Sequence, residues 1–285
     1  LPAKGTIICM ISFPNAKINI GLRIISKRDD GFHTIESVFY PIPLFDMLEV
    51  VELKNWQTGK PKWQFTSYGI AVDGAAENNL CVRAYESMAA HVDLPPVDIY
   101  LYKKIPMGAG LGGGSADAAF MLKLLNDKFE LQQPHTLIRQ LATTLGSDCA
   151  FFTDNEPAYL WGKGHELEPF AFQLNGMWLV LLTPPVHSGT KLAYSKVIPR
   201  NSVSVSLKEL LLQPVEHWRS DVVNDFEVSV FAQFPELATY KQQLYECGAD
   251  YASMSGSGSS VFGLFRQQPV LSQDLLQLCA CYVQL

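Results

Sequence analysis

The chain has 285 residues with 28 acidic and 22 basic side chains, a formal net charge of −6, 48% apolar residues and 18% charged ones. These values exclude disorder and collagen-like repetition and leave one large domain or two packed ones with ample core. An acidic balance without Lys/Arg blocks argues against nucleic acid as a partner, while leaving room for a local basic cleft.

The longest apolar run, residues 177–182, is far below the roughly 20 residues that cross a bilayer. No apolar signal segment opens the chain, so a cytoplasmic protein without a membrane partner is expected. The cysteines at 9, 81, 149, 247, 279 and 281 are scattered, with no CxxC pair and no zinc spacing, as in a reducing compartment. Residues 1–9 precede Met10, and the sequence leaves open whether a native start lies there.

Residues 6–53 are expected to be strand-rich. Ile18, Ile20, Leu22 and Ile24 alternate with polar or small residues, the period-two pattern of a half-buried strand. Residues 27–31 form a charged turn in which Gly31 takes a positive φ, and 37–40 and 47–53 give two more strands. Asn78 and Asn79 are predicted to cap a helix over 80–91. A strand over 97–102 stops at Pro106, and a glycine-rich stretch leads into an apolar helix over 115–126. Pro134 opens another helix that ends near Gly146. A buried strand over 176–182 is cut by Pro184 and Pro185. Helices follow near 189–196, 206–213, 224–233 and 235–247. Two strands then flank residues 255–260, and a last helix covers 269–279. Strands and helices mix without regular βα alternation and without an internal repeat, which predicts an α+β fold with a boundary between 155 and 175.

The feature that carries chemistry is the run Pro106, Met107, Gly108, Ala109, Gly110, Leu111, Gly112, Gly113, Gly114, Ser115 and Ala116. Glycines let the backbone approach a ligand and aim N–H groups at it, and the helix start adds its positive end, so the run suits phosphates. It is not a Walker A loop, because no glycine precedes Lys-Ser or Lys-Thr. Gly108, Gly110 and Gly113 match GxGxxG, yet Asp127 and Glu130, at the spacing a dinucleotide fold wants, fall at a helix end. A dinucleotide-dependent oxidoreductase is disfavoured on that ground.

The run resembles the second motif of the GHMP kinases, small-molecule kinases that lack a Walker A loop. Residues 14–22, Pro-Asn-Ala-Lys-Ile-Asn-Ile-Gly-Leu, resemble their first motif, and 254–262, Met-Ser-Gly-Ser-Gly-Ser-Ser-Val-Phe, their third, in the family's order. The resemblance implies the two-domain α+β GHMP-kinase fold with its active-site cleft between the domains. It assigns 1–165 to the N-terminal domain with the phosphate loop and a left-handed βαβ crossover, and 166–285 to a ferredoxin-like C-terminal domain. Further segments at 27–33, 112–114, 145–148 and 224–227 resemble the members that take a cytidyl diphosphate substrate.

The implied activity is phosphorylation of an alcohol by ATP with Mg²⁺. Asp148 is then the proton acceptor, Lys17 the cation beside it, and Asn19 a polar partner that places them. Asn79, Leu80 and Lys103 join the loop, residues 106–116, around the nucleotide, and the Ser115 hydroxyl serves a phosphate oxygen or Mg²⁺. Phe32, where the family usually has tyrosine, lies opposite Tyr194 across the base, with His33 at the edge and Thr190 near the diphosphate. Arg200 is a further candidate for substrate contact, whereas His91, His135 and His217 read as ordinary helix or surface residues. Two alternatives stand beside this reading: a GHMP kinase of mevalonate or homoserine type, and a non-catalytic ligand sensor on the same fold. Oligomeric state and the Mg²⁺ ligands are not legible.

Overall fold

The computed structural model describes residues 10–164, 166–201 and 203–285. Cys9, the question of a start at Met10, and residues 6–9 of the strand-rich stretch lie outside the described residues. The chain forms two compact units that interlace in sequence. The first comprises residues 10–15, 45–105 and 113–154, the second residues 16–44, 106–112 and 155–285.

The first unit is built on a four-stranded sheet in the order Met10–Ser12, Met47–Glu52, Val97–Lys103, Trp63–Gly69. Trp63–Gly69 runs parallel to Val97–Lys103, and the helix Leu80–Ala89 makes the crossover between them. That helix packs with Gly113–Lys128 and His135–Leu145 around Val50, Tyr85, Ile99, Leu101, Met121 and Leu125. The strand at 63–69 escaped the sequence reading, although Trp63 and Phe65 alternate with Gln64 and Thr66. The apolar helix begins at Gly113, two residues earlier than expected. Only glycine fits there, because a Cβ would stand 2.8 Å from Ile105 Cγ2, and first-turn N–H groups need no intrahelical partner.

The second unit holds two four-stranded sheets. One is ordered Asn15–Lys27, His33–Phe45, Ala158–Trp161, Glu166–Pro169; the other is antiparallel and ordered Tyr251–Met254, Val261–Phe265, Trp178–Leu182, Cys279–Gln284. The helix Pro235–Glu246 packs on the second sheet over Leu237 and Leu244. Three of these strands, at 158–161, 166–169 and 279–284, were not foreseen, and the last predicted helix shortens to Gln273–Leu278. The helix expected from 224 begins at Glu227. Asn224 and Asp225 spend their side chains on the N–H groups of Phe226 (3.0 Å) and Ile24 (2.8 Å) instead. Gly31 has the expected positive φ, +84°.

The strand at 15–27 departs from expectation in a way that matters. Every residue from Asn15 to Ile24 is buried, on both faces. Its buried Lys17, Asn19 and Arg23 side chains all hydrogen-bond inside the protein, although Arg23 Nε itself has no partner. Among the described residues no helix is long and apolar enough to cross a membrane.

Candidate active site

In the second unit, Gly108, Gly110 and Gly112 all have positive φ, +64°, +77° and +71°, a region that L side chains rarely adopt. Gly110 is constrained sterically as well, since a Cβ would stand 2.0 Å from the Ser255 carbonyl oxygen. Three successive loop carbonyls point into the unit. The Ala109 oxygen accepts from the Ser260 N–H (3.2 Å) and the Leu111 oxygen from the Lys17 N–H (2.9 Å). The Gly110 oxygen accepts from Ser255 Oγ (2.8 Å) and Lys17 Nζ (3.1 Å). In a trans peptide the N–H points opposite to its own carbonyl. The N–H groups of Gly110, Leu111 and Gly112 are therefore turned away from these partners. Alternating left-handed glycines with N–H groups so directed are an arrangement that can hold an anion.

Lys17 is 3% exposed. Its ammonium donates to Asn19 Oδ1 and to the Gly110 carbonyl, and stands 4.4 Å from the centre of the Phe39 ring. Asn19 donates from Nδ2 to Ser37 Oγ (2.8 Å) and from its backbone N–H to Ser255 Oγ (3.1 Å). Ser255 thus joins all three motifs, accepting from the first and donating to the second. Asn224 and Glu227 support it from behind. Asn224 Nδ2 donates to the carbonyls of Met254 (2.7 Å) and Gly256 (2.8 Å), and Glu227 Oε1 accepts from the Met254 N–H (2.9 Å). Ser37, Asn224, Glu227 and Ser255 were assigned no role from sequence, although Ser255 lies in the third motif and Asn224 and Glu227 in the run at 224–227.

In the first unit, the helix Gly113–Lys128 has no acidic residue in its first turn, so no side-chain charge there offsets its positive end. Leu80 lies beside it, 3.6 Å from where a Gly114 Cβ would stand. Asn79 caps its own helix, Oδ1 accepting from the Cys81 N–H (2.9 Å), while Asn78 ends a preceding 3₁₀ turn. The half-buried Ser115 faces the turn at 146–148, its hydroxyl 4.0 Å from an ideal Gly146 Cβ. Asp148, also half-buried, sits in that turn and accepts from Ser147 Oγ (3.1 Å). Burial pushes the neighbouring Cys149 thiol up to about 11. Lys103 is no solvated charge. It is 2% exposed, and its ammonium donates to Asp46 Oδ2 (2.5 Å) and Asp117 Oδ2 (2.8 Å). Burial and, secondarily, the Asp46 carboxylate push Asp117 up to about 7 against the pull of Lys103.

The residues expected at the base are back in the second unit, arranged differently from the expectation. His33, placed by the sequence reading at an edge, stacks directly on Tyr194 with ring centres 4.9 Å apart and planes at 25°. Phe226 meets the Tyr194 ring edge-on at 4.6 Å. Phe32 is 60% exposed, and Lys163 Nζ stands 5.1 Å from its ring centre. Lys163 also pairs with Asp30 (2.7 Å) and, with the Phe32 N–H, holds that carboxyl down at about 2. Thr190 is exposed at the start of the short helix Thr190–Ala193. Arg200, a substrate candidate, has its guanidinium on the Asp225 carboxylate (2.6 Å). His187, which no sequence argument singled out, lies against the glycine loop: a Gly108 Cβ would stand 2.3 Å from its Cε1.

A buried lysine at a glycine nest, followed by a helix start, defines a phosphate-handling enzyme without a Walker A loop. Two family descriptions match this chain, "GHMP kinases N terminal domain" over residues 79–156 and "GHMP kinases C terminal" over 207–284. A Bacteroides fragilis protein named 4-diphosphocytidyl-2-C-methyl-D-erythritol kinase is 49% identical over 273 residues, 96% of this chain and 98% of its own. A crystal structure of 4-(cytidine 5'-diphospho)-2C-methyl-D-erythritol kinase superimposes with a TM-score of 0.76 at 31% identity, covering 90% of each chain. The Methanococcus jannaschii mevalonate kinase superimposes at 0.65 with 12% identity, over 96% of this chain and 95% of that one, which shows a shared fold alone. The chain belongs to the GHMP kinases and, within them, to the family of the 4-diphosphocytidyl-2-C-methyl-D-erythritol kinases.

Proposed function

We propose that this protein phosphorylates the 2-hydroxyl of 4-diphosphocytidyl-2-C-methyl-D-erythritol with ATP, in the non-mevalonate route to isoprenoids. The name of the B. fragilis relative, nearly half identical over almost the full chain, supports the substrate. The observation that carries the chemistry is the glycine loop, whose carbonyls at 109–111 are engaged while the N–H groups of residues 110–112 turn the other way.

Phosphoryl transfer needs an aligned nucleophile and offset phosphate charge. Loop residues 106–112 cradle the phosphates, residues 113–116 present the helix start to them, and Leu80 and Asn79 flank the nucleotide, whereas Lys103, expected beside it, is buried with its ammonium on Asp46 and Asp117. Asp148 accepts the proton of the attacking hydroxyl. Lys17, held by Asn19 and the Gly110 carbonyl, stabilises the charge that develops on the reacting oxygens. Mg²⁺ offsets charge on the phosphates when bound. Phosphate oxygens and the Ser115 hydroxyl would be among its oxygen ligands. A base between His33 and Tyr194 would need roughly 7 Å, two contact distances, against the 4.9 Å present. The cytosine ring is therefore taken on the face of His33 turned away from Tyr194, with Tyr194 backing the imidazole and Thr190 serving the diphosphate.

The family halves are proposed to divide at 165/166, which leaves one family match on each side. Cytoplasmic location is proposed from the free thiols buried at Cys81 and Cys149. A coupled assay for ADP release with the cytidyl substrate, mevalonate and homoserine tests the function. Turnover is expected with the first alone. Activity on mevalonate or homoserine without activity on the cytidyl compound would overturn the reading.

A further inference from the structure

The glycine loop has two stems, the chain leaving the sheet at Lys103–Ile105 and the helix start at Gly113. Both belong to the first unit, and they touch: a Cβ on Gly113 would stand 2.8 Å from Ile105 Cγ2 and 3.2 Å from Lys103 Nζ. Three charged side chains meet at this point, and all are inside the protein, with Asp46 0%, Lys103 2% and Asp117 3% exposed. Asp46 Oδ1 accepts from the N–H groups of Lys104 (2.6 Å) and Ile105 (2.9 Å), the two residues that open the loop. Its other oxygen accepts from Lys103 Nζ (2.5 Å). The same ammonium donates to Asp117 Oδ2 (2.8 Å), one turn into the helix that closes the loop.

Such a cluster is an expensive way to hold a fold together. Desolvating three charges costs much of what their attraction returns, and apolar side chains of similar volume often serve stability as well. Geometry is what an apolar replacement would not reproduce. Lys104 and Ile105 would lose their acceptor, and the helix start would lose its directional tie to the outgoing strand.

We infer that Asp46 and Asp117 are positioning residues for phosphate binding: through Lys103 they clasp the two stems of the glycine loop and fix the direction in which its N–H groups point. The inference rests on the reading of the loop as the ATP phosphate cradle. It gives Lys103 an indirect part in nucleotide binding, acting through the loop's stems.

The test uses the full-length protein. Asp46→Asn and Asp117→Asn are nearly isosteric and weaken charge-assisted bonds of a kind that shift equilibria about tenfold or more. Each should raise the ATP KM and calorimetric Kd by about tenfold, leave the KM for the cytidyl substrate within about twofold, and speed hydrogen exchange at residues 104–112 more than elsewhere. The double variant Lys103→Met/Asp117→Leu, which removes the cation and one carboxyl and leaves the buried Asp46 carboxyl on its two backbone donors, should lower Tm and bind ATP weakly. Parental ATP affinity and parental exchange at 104–112 in the two Asn variants would overturn the clasp, whether or not the double variant folds. Gly112→Val separates the two possible failures. If it abolishes ATP binding while the Asn variants bind normally, the clasp alone is wrong. If it binds ATP normally, the loop is not the phosphate cradle, and the inference falls with that reading.

Discussion

Asp148 and Lys17 illustrate how differently two catalytic candidates are held. Lys17 is fully enclosed, its ammonium fixed by a side-chain and a backbone carbonyl; Asp148 is half-buried in a turn. Replacing Asp148 by Asn keeps shape and removes the base. Turnover should fall by about 10²–10⁴ with ATP affinity unchanged, and near-parental turnover would remove Asp148 from the chemistry. His33 is read as the platform for the cytosine ring. His33→Ala should raise the KM for the cytidyl substrate roughly 5- to 150-fold, the worth of one stacking contact, and leave the ATP KM alone; an unmoved substrate KM would contradict that role. Asp117 carries a pH signature. Burial raises its pKa in the folded protein to about 7, above the ordinary carboxylate value that the unfolded chain keeps, so it is the charged partner of Lys103 above that pH. Between those limits the folded state binds more protons, so this carboxyl makes stability fall as pH rises and level off above about 7. Asp117→Asn removes the slope. The Tm of the variant relative to the parent should therefore be higher at pH 8 than at pH 5, and a difference independent of pH would show the carboxyl to be ordinary.

Among the elements, the glycine loop and the strand at 15–27 are coupled by short polar contacts. Gly110 needs a positive φ and has a backbone oxygen where its Cβ would go. Gly110→Ala should lower both Tm and ATP affinity, the latter by about tenfold or more, because strain of roughly 1–2 kcal/mol adds to a clash that backbone must relieve. Gly176→Ala is the matched control. Its φ is +81°, and nothing lies within 4 Å of its would-be Cβ, so it should cost a little stability and no ATP affinity. Calorimetry of both variants checks this, and parental binding by Gly110→Ala would show that the loop's geometry does not govern the nucleotide. The strand itself was legible only in part. Alternation of Ile18, Ile20, Leu22 and Ile24 identified it, but period two says nothing of what covers the polar face. Here that face is buried, with Lys17, Asn19 and Arg23 each below 6% exposure. Arg23 meets Glu36 (3.1 Å) and the Val205 and Asp221 carbonyls. Each of these partners lies at least 13 positions away in sequence, beyond the reach of any local pattern.

At the scale of the whole molecule, ligand binding should report on the fold. MgATP at about 100 times its Kd adds about 2.7 kcal/mol to the stability of whatever binds it, a Tm rise of roughly 5–10 °C for a protein of this size. The absence of a rise with both MgATP and the cytidyl substrate would argue for a scaffold without the activity. The local chain by itself determined the main elements: the apolar periodicity of the helices, the cap at Asn79, the turn at Gly31 and the glycine run between strand and helix are near-neighbour effects, written within a few residues of where they act. The three motifs likewise marked their chemistry in short spans. Only the tertiary structure decided that the first strand is buried on both faces, that Ser255 ties Asn19 to Gly110, that His33 rather than Phe32 faces Tyr194, and that Lys103 is enclosed by Asp46 and Asp117. The reason is physical. An isolated lysine, asparagine or aspartate prefers water, and whether it is buried depends on partners that folding brings from 57, 145 or 236 residues away, a distance that no residue's own neighbourhood records.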